Sequence, residues 1–121
     1  MDVLLIEDNV LVRAVLAEVL DDAGITVAEL DDGEALFNDA QAPALDQPRV
    51  IVTDVDLGEG CHDGVEVAAQ ARRHWENIGV VFITGRPSNL HGHALGRRDR
   101  FLSKPFAGSS LVRTVASLLQ G

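Results

Sequence analysis

Four short runs of apolar and β-branched residues recur along the chain, and each ends in a polar side chain. Val3-Leu4-Leu5-Ile6 runs into Glu7-Asp8, Val50-Ile51-Val52-Thr53 into Asp54, Val80-Val81-Phe82-Ile83 into Thr84, and Arg100-Phe101-Leu102-Ser103 into Lys104. Runs of this length without alternation predict strands buried on both faces. Thr26 to Leu30 mixes polar and apolar positions and predicts a strand near a sheet edge. Between these runs the period is helical. Asn9 is a candidate N-cap for a helix through about Ala23, with Val12, Val15, Leu16 and Val19 as its inward stripe, and Gly24 suits a left-handed cap at its end. Asp31-Asp32-Gly33 predicts a turn, Glu34 to about Ala40 a short helix with Ala35 and Leu36 inward, and Gln41 to Pro48 a loop. Asp63 caps a predicted helix from Gly64 to about Trp75, with Val65, Ala68 and Ala69 inward, Arg72 and Arg73 outward, and Trp75 covering its end. Arg86 to Arg98 contains Pro87, Gly92 and Gly96, which predict a short or frayed helix. Ala107 to Leu119 closes the chain as a helix with Leu111, Val115, Leu118 and Leu119 on one face.

Strand and helix therefore alternate five times, without repeat or linker. That order predicts a single α/β domain over residues 1–121: a doubly wound, five-stranded parallel sheet of flavodoxin-like order 2-1-3-4-5, with right-handed crossovers and helices on both faces. Parallel strands bring Glu7, Asp8, Asp54, Thr84 and Lys104 to one edge, the carboxyl edge where open α/β sheets bind ligands.

The 121 residues suit one domain with a sizeable core. A net charge of -9 opposes contact with nucleic acid and suits a bound cation or a basic partner surface. Cys61 is the sole cysteine, so no internal disulfide forms and a reducing compartment is expected. No apolar run is long enough to span a bilayer, and no leader precedes the first strand; a cytoplasmic protein without membrane contact is expected.

Three carboxylates at one edge repel each other and raise at least one pKa. Mg²⁺ relieves this, because it takes oxygen ligands and needs only one or two carboxylates. Lys104 adds a fixed cation and Thr84 a hydroxyl. Metal, ammonium and hydroxyl around one carboxylate are the parts of phosphoryl transfer, with Asp54 as the nucleophile. Taken singly, each residue has a bland account: an Asp after a strand is usually a turn or cap, and a lone Lys a solvated charge. Their joint occurrence at successive strand ends does not.

Glu7-Asp8, Asp54, Thr84-Gly85 and Lys104-Pro105, in this order and spacing, resemble the receiver domain of two-component response regulators over essentially the whole chain. The resemblance implies that Asp54 accepts a phosphoryl group from a phosphohistidine on a sensor histidine kinase or histidine phosphotransfer protein. It implies direct Mg²⁺ ligation by Asp8, Asp54 and the main-chain carbonyl of Asp56, with Glu7 acting through metal-bound water. Thr84 and Lys104 would hold the phosphoryl oxygens, Lys104-Pro105 would be cis, and Phe101 would be the switch aromatic. The fourth helix, fifth strand and fifth helix would form the face for a downstream protein. Such a domain is not an enzyme with turnover, although it catalyses its own phosphorylation and dephosphorylation.

Three features depart from the pattern. The Asp54–Gly64 loop is longer than usual and lacks the common proline, the Arg86–Arg98 stretch is glycine-rich where the fourth helix belongs, and no output domain follows Gly121. The last leaves two readings: a single-domain regulator, or a receiver cut from a longer chain. Asp56 and Arg86 are expected to pair across the mouth and restrict attacking water. His91 and His93 lack a third metal ligand and read as a polar loop. Cys61 reads as a small loop residue rather than a redox sensor. Arg97, Arg98 and Arg100 are either a solvated turn or a docking patch. Asp54-Val55-Asp56 and Ile83-Thr84-Gly85 also resemble two motifs of haloacid-dehalogenase-type phosphatases, but Glu7-Asp8 comes too early and no acid lies between Asp99 and Gly121. A Toprim-type nuclease leaves Thr84 and Lys104 without a role, and a flavodoxin-like binding module lacks its phosphate loop.

Overall fold

The structure is a computed structural model that describes residues 2–38, 47–57, 62–85 and 96–120. Five parallel strands, β1 (Val3–Ile6), β2 (Val27–Leu30), β3 (Val50–Asp54), β4 (Gly79–Thr84) and β5 (Asp99–Ser103), lie in the order β2-β1-β3-β4-β5. Three α-helices are described: α1 (Val10–Asp22), α2 (Gly64–His74) and α3 (Gly108–Leu119). Glu34–Phe37 forms a single 3-10 turn, shorter than the predicted helix to Ala40. Residues 39–46, and with them most of the predicted loop before β3, lie outside the described residues, as do 58–61 and 86–95.

The unbroken apolar runs follow from burial on both faces. Val3, Leu5, Val50, Val52, Val81 and Ile83 pack against Leu16 and Leu20 of α1 and Leu111, Val115 and Leu118 of α3. Leu4, Ile6, Ile51, Val80 and Phe82 point the other way, toward Val67, Ala68 and Ala71 of α2 and Leu36 of the turn. Adjacent residues thus serve opposite cores, and each fully buried aliphatic side chain contributes about 1.5–3 kcal/mol. β2 and β5 are the edges; β2 carries the mixed pattern expected of it, whereas β5, expected to be buried on both faces, is mixed as well because, among the described residues, no strand covers its outer side.

Helix ends agree with their sequence signals. Asn9 accepts from the Val12 N–H at 3.0 Å, and Gly24 has φ of 79°. Asp63 and Glu66 form a reciprocal capping box, and Trp75 is buried at the end of α2. Two inward stripes need correction. Val15 is exposed and Leu20 takes its place, so α1 turns Val10, Leu11 and Val15 to solvent. On α2 the buried stripe is Gly64, Val67, Ala68 and Ala71, and Ala69 is exposed. β5 begins at Asp99, ahead of the predicted start. Asp99 is buried there by an ion pair with Arg72 at 2.6 Å, whose guanidinium also donates to the Ile78 carbonyl. Arg98 donates to the carbonyls of Asn77 and Leu118, and Arg100 to those of Arg97 and Asp99. These bonds engage the Arg98 and Arg100 side chains within the fold.

Candidate functional site

Four of the five strands deliver parts of the site where they leave the sheet. Glu7 and Asp8 follow β1, Asp54 ends β3, Thr84 ends β4 and Lys104 follows β5. Register aligns Ile6 with Thr53, Asp54 with Ile83 and Thr84 with Ser103. The convergence expected from strand order is therefore present.

Asp54 is 6% exposed and held at both oxygens. Its Oδ1 accepts from the Asp56 main-chain N–H at 3.0 Å, and its Oδ2 from Lys104 Nζ at 2.9 Å. Lys104 is placed in turn by its own N–H, which donates to the Thr84 carbonyl at 2.8 Å, and the Lys104-Pro105 peptide is cis. Burial pulls the Lys104 ammonium down, but the carboxylates of Asp54, Glu7 and Asp8 outweigh it and the net shift is upward. Lys104 is a fixed cation here.

Glu7, Asp8 and Asp54 place one carboxylate oxygen each within 4.8 Å of one another. Glu7 is buried, and with both acids ionised its Oε2 has no hydrogen-bond partner among the described residues. Burial and the neighbouring Asp54 carboxylate push the Glu7 carboxyl from 4.5 up to about 7. An orphaned buried oxygen, three acids and a hard all-oxygen donor set fit a Mg²⁺ ion. The stability consequence has a definite sign. Glu7 keeps its proton when folded but loses it near 4.5 when unfolded, so its contribution to stability is lost as pH rises from 4.5 to about 7. That slope is at most about 1.4 kcal/mol per pH unit. Thermal melts of the metal-free protein are expected to fall over this window, and Glu7→Gln is expected to flatten the decline. Millimolar Mg²⁺ is expected to raise the melting temperature, more above the window than below it. A Mg²⁺ response absent at every pH counts against the cation site.

Thr84 is fully buried and Phe101, opposite Phe82 on β5, is 40% exposed, an outward position for the expected switch aromatic. Arg86 lies outside the described residues, so the Asp56–Arg86 pair has no geometry here; the same holds for Cys61, His91, His93 and most of the Arg86–Arg98 stretch.

In the sequence Gly64 reads only as the first residue of a helix. A Cβ there would stand 2.4 Å from the Asp54 carbonyl oxygen and 2.9 Å from Val55 Cα, while the Gly64 N–H donates to the Val55 carbonyl at 2.8 Å. The start of α2 thus rests directly on the backbone of Asp54. Gly64→Ala is expected to cost about 1–3 kcal/mol in denaturant titration, as overpacking does; an unchanged midpoint would mean α2 moves freely. His62, two residues before α2, is also anchored. His62 stacks on Phe37 at 3.6 Å and its Nδ1 meets Glu34 at 2.9 Å, which raises the imidazole pKa and lowers that of Glu34. Neither contact had a sequence signal, since each joins residues distant along the chain.

The family model for the response regulator receiver domain matches residues 3–116. The chain is 36% identical to the C4-dicarboxylate transport transcriptional regulatory protein DctD of Pseudomonas aeruginosa, across 98% of this chain and 25% of that protein. It is 30% identical to the response regulator receiver protein CpdR of Brucella abortus, across 97% of this chain and 95% of that one. The chain thus spans a quarter of the first relative and nearly all of the second. A crystal structure of a response regulator receiver protein from Sinorhizobium medicae superposes with a TM-score of 0.86 at 24% identity, covering 100% of this chain and 95% of the other, a likeness in fold.

Proposed function

This chain belongs to the response regulator receiver domain family of two-component systems, and from that premise we propose that Asp54 is its phosphoryl acceptor. The single observation behind this reading is the Lys104–Asp54 contact at 2.9 Å inside the Glu7, Asp8 and Asp54 cluster. It joins the cation, the nucleophile and the metal donors around one atom group.

Asp8, Asp54 and the Asp56 carbonyl would hold Mg²⁺ directly, and Glu7 through water. Bound there, the ion would offset the charge that gathers on the phosphoryl oxygens. The chain's own groups do the rest. An Asp54 oxygen forms a bond to phosphorus as the P–N bond of the donor phosphohistidine breaks, and the electron pair leaves with the imidazole. The Asp56 N–H holds the Asp54 carboxylate in place. Lys104 transfers its hydrogen bond from Asp54 to a phosphoryl oxygen, and Thr84 supplies a hydroxyl to another. Movement of Thr84 makes room for Phe101 to turn inward, which shifts the population of the downstream face formed with α3 and the segment before β5. Hydrolysis of the acyl phosphate resets it, with Asp56 and Arg86 flanking the water path. The domain acts on itself and turns over no separate substrate.

The donor would be a histidine kinase or histidine phosphotransfer protein. It must reach a buried carboxylate, and the exposed Val10, Leu11 and Val15 stand on α1 immediately after Asp8, where such a donor would rest. A cytoplasmic location fits this donor, and no helix among the described residues is long and apolar enough to cross a membrane. The test is acid-labile labelling. With a small-molecule phosphodonor and Mg²⁺, one hydroxylamine-sensitive phosphoryl group per chain is expected. Rapid repeated turnover of a chromogenic phosphomonoester would instead support a phosphatase.

A further inference from the structure

Glu7 and Asp8 are useful only if the peptide between them is held at the angle that turns both acids toward Asp54. Three bonds fix Glu7 and its surroundings, and the third of them is made to that peptide itself. The Glu7 N–H donates to the Leu30 carbonyl at 3.1 Å, the Asn9 N–H donates to Glu7 Oε1 at 3.3 Å, and Arg13 Nη1 donates to the Glu7 carbonyl at 2.8 Å. The last bond stands where the sheet runs out. β1 pairs with β2 only as far as Ile6 with Leu30, after which the chain turns away over Asp31 to Gly33. Among the described residues no strand donor continues the ladder on that side, and a guanidinium from α1 takes its place. Glu29 on β2 meets Arg13 Nε at 3.5 Å and fixes the guanidinium from behind, so that one face of the fork points at β1. The Arg13 side chain is only 18% exposed, although its partner Glu29 is 46% exposed, so the covered part of the arrangement is the guanidinium's side toward β1.

We propose that Arg13 is a positioning residue for the cation pocket: it clamps the Glu7–Asp8 peptide through the Glu7 carbonyl, with Glu29 orienting the clamp. The inference rests on the receiver reading of the pocket. It has a signature that charge cannot mimic. Arg13 is a cation near a cation site, so by Coulomb's law alone its removal should tighten Mg²⁺ binding. As a clamp, its removal should loosen the acids and weaken binding. Lysine keeps the charge but lacks the fork needed to reach the Glu7 carbonyl and Glu29 together.

Calorimetric titration of the metal-free protein with Mg²⁺ decides the matter. Arg13→Met is expected to lower affinity by about tenfold or more, the usual effect of losing a group that orients a metal ligand. Arg13→Lys is expected to fall between the two. Equal or tighter binding by Arg13→Met overturns the clamp. Should that variant not fold, Arg13→Lys carries the test alone, because charge predicts no change and undiminished affinity overturns the proposal. A wild-type protein that takes up no Mg²⁺ overturns the pocket reading as well, whereas wild-type binding with unaltered variants overturns the clamp only.

Discussion

Asp54→Asn is expected to reduce phosphoryl labelling to background while leaving the protein folded. The two side chains have the same shape, and the amide oxygen can still accept the Asp56 N–H that now bonds Oδ1 at 3.0 Å. What is lost is the nucleophile. An amide oxygen carries no formal charge and forms no stable acyl phosphate. The substitution also removes one of the three clustered acids. Glu7 then has less to repel it, so its carboxyl should titrate below about 7, while burial, the larger cause, still holds it above its ordinary value of 4.5. The metal-free variant should accordingly melt no lower than wild type above the Glu7 window, even though Lys104 loses its carboxylate partner. Labelling and melting thus move independently, which separates loss of chemistry from loss of fold. Labelling of Asp54→Asn at the wild-type level would place the acceptor on another residue, and Asp8 and Asp56 would be the next candidates by proximity.

The sheet and its carboxyl edge were readable because both depend on local patterns. A strand buried on two faces needs an unbroken apolar or β-branched run, and Val50-Ile51-Val52-Thr53 satisfies that without reference to anything else. Parallel order then brings strand ends together by topology alone, which is how Asp54 and Lys104, fifty residues apart, meet at 2.9 Å. The errors lie where the decision is tertiary. Helix α1 carries apolar residues at 10, 11, 12, 15, 16, 19 and 20, more than one face can bury. Its period marks a helix but not which half meets the sheet, and the choice went to Leu16 and Leu20 rather than Val15. β5 starts at Asp99 because Arg72 of α2 waits there, a contact no window around residue 99 contains. The same holds for Gly64 under Asp54 and for Arg13 at the Glu7 carbonyl. These residues position the acids rather than act as them, and position is a property of the folded chain.

Lys104→Met is expected to have opposite effects on metal binding and on chemistry. Lys104 is the one cation within ion-pair distance of Asp54 among the described residues. Methionine keeps much of the side chain's length and apolar stem, so the substitution removes chiefly the ammonium. Without that charge, Glu7, Asp8 and Asp54 face each other unrelieved, and Mg²⁺ should bind more tightly because its competitor is gone. The metal-free protein should melt lower, and saturating Mg²⁺ should recover much of the loss. Labelling by a small-molecule donor should nevertheless slow by about 10²-fold at saturating Mg²⁺, the usual effect of deleting one charged donor from the oxygens of a transferring group. The Lys104 side chain is 34% exposed, which leaves room for the ammonium to follow the charge from the Asp54 oxygen to the arriving phosphoryl group. Tighter metal with slower transfer is a combination that a merely structural lysine cannot produce, since a damaged pocket would lose both. An unaltered labelling rate would remove Lys104 from the reaction and leave its contact with Asp54 as simple charge neutralisation.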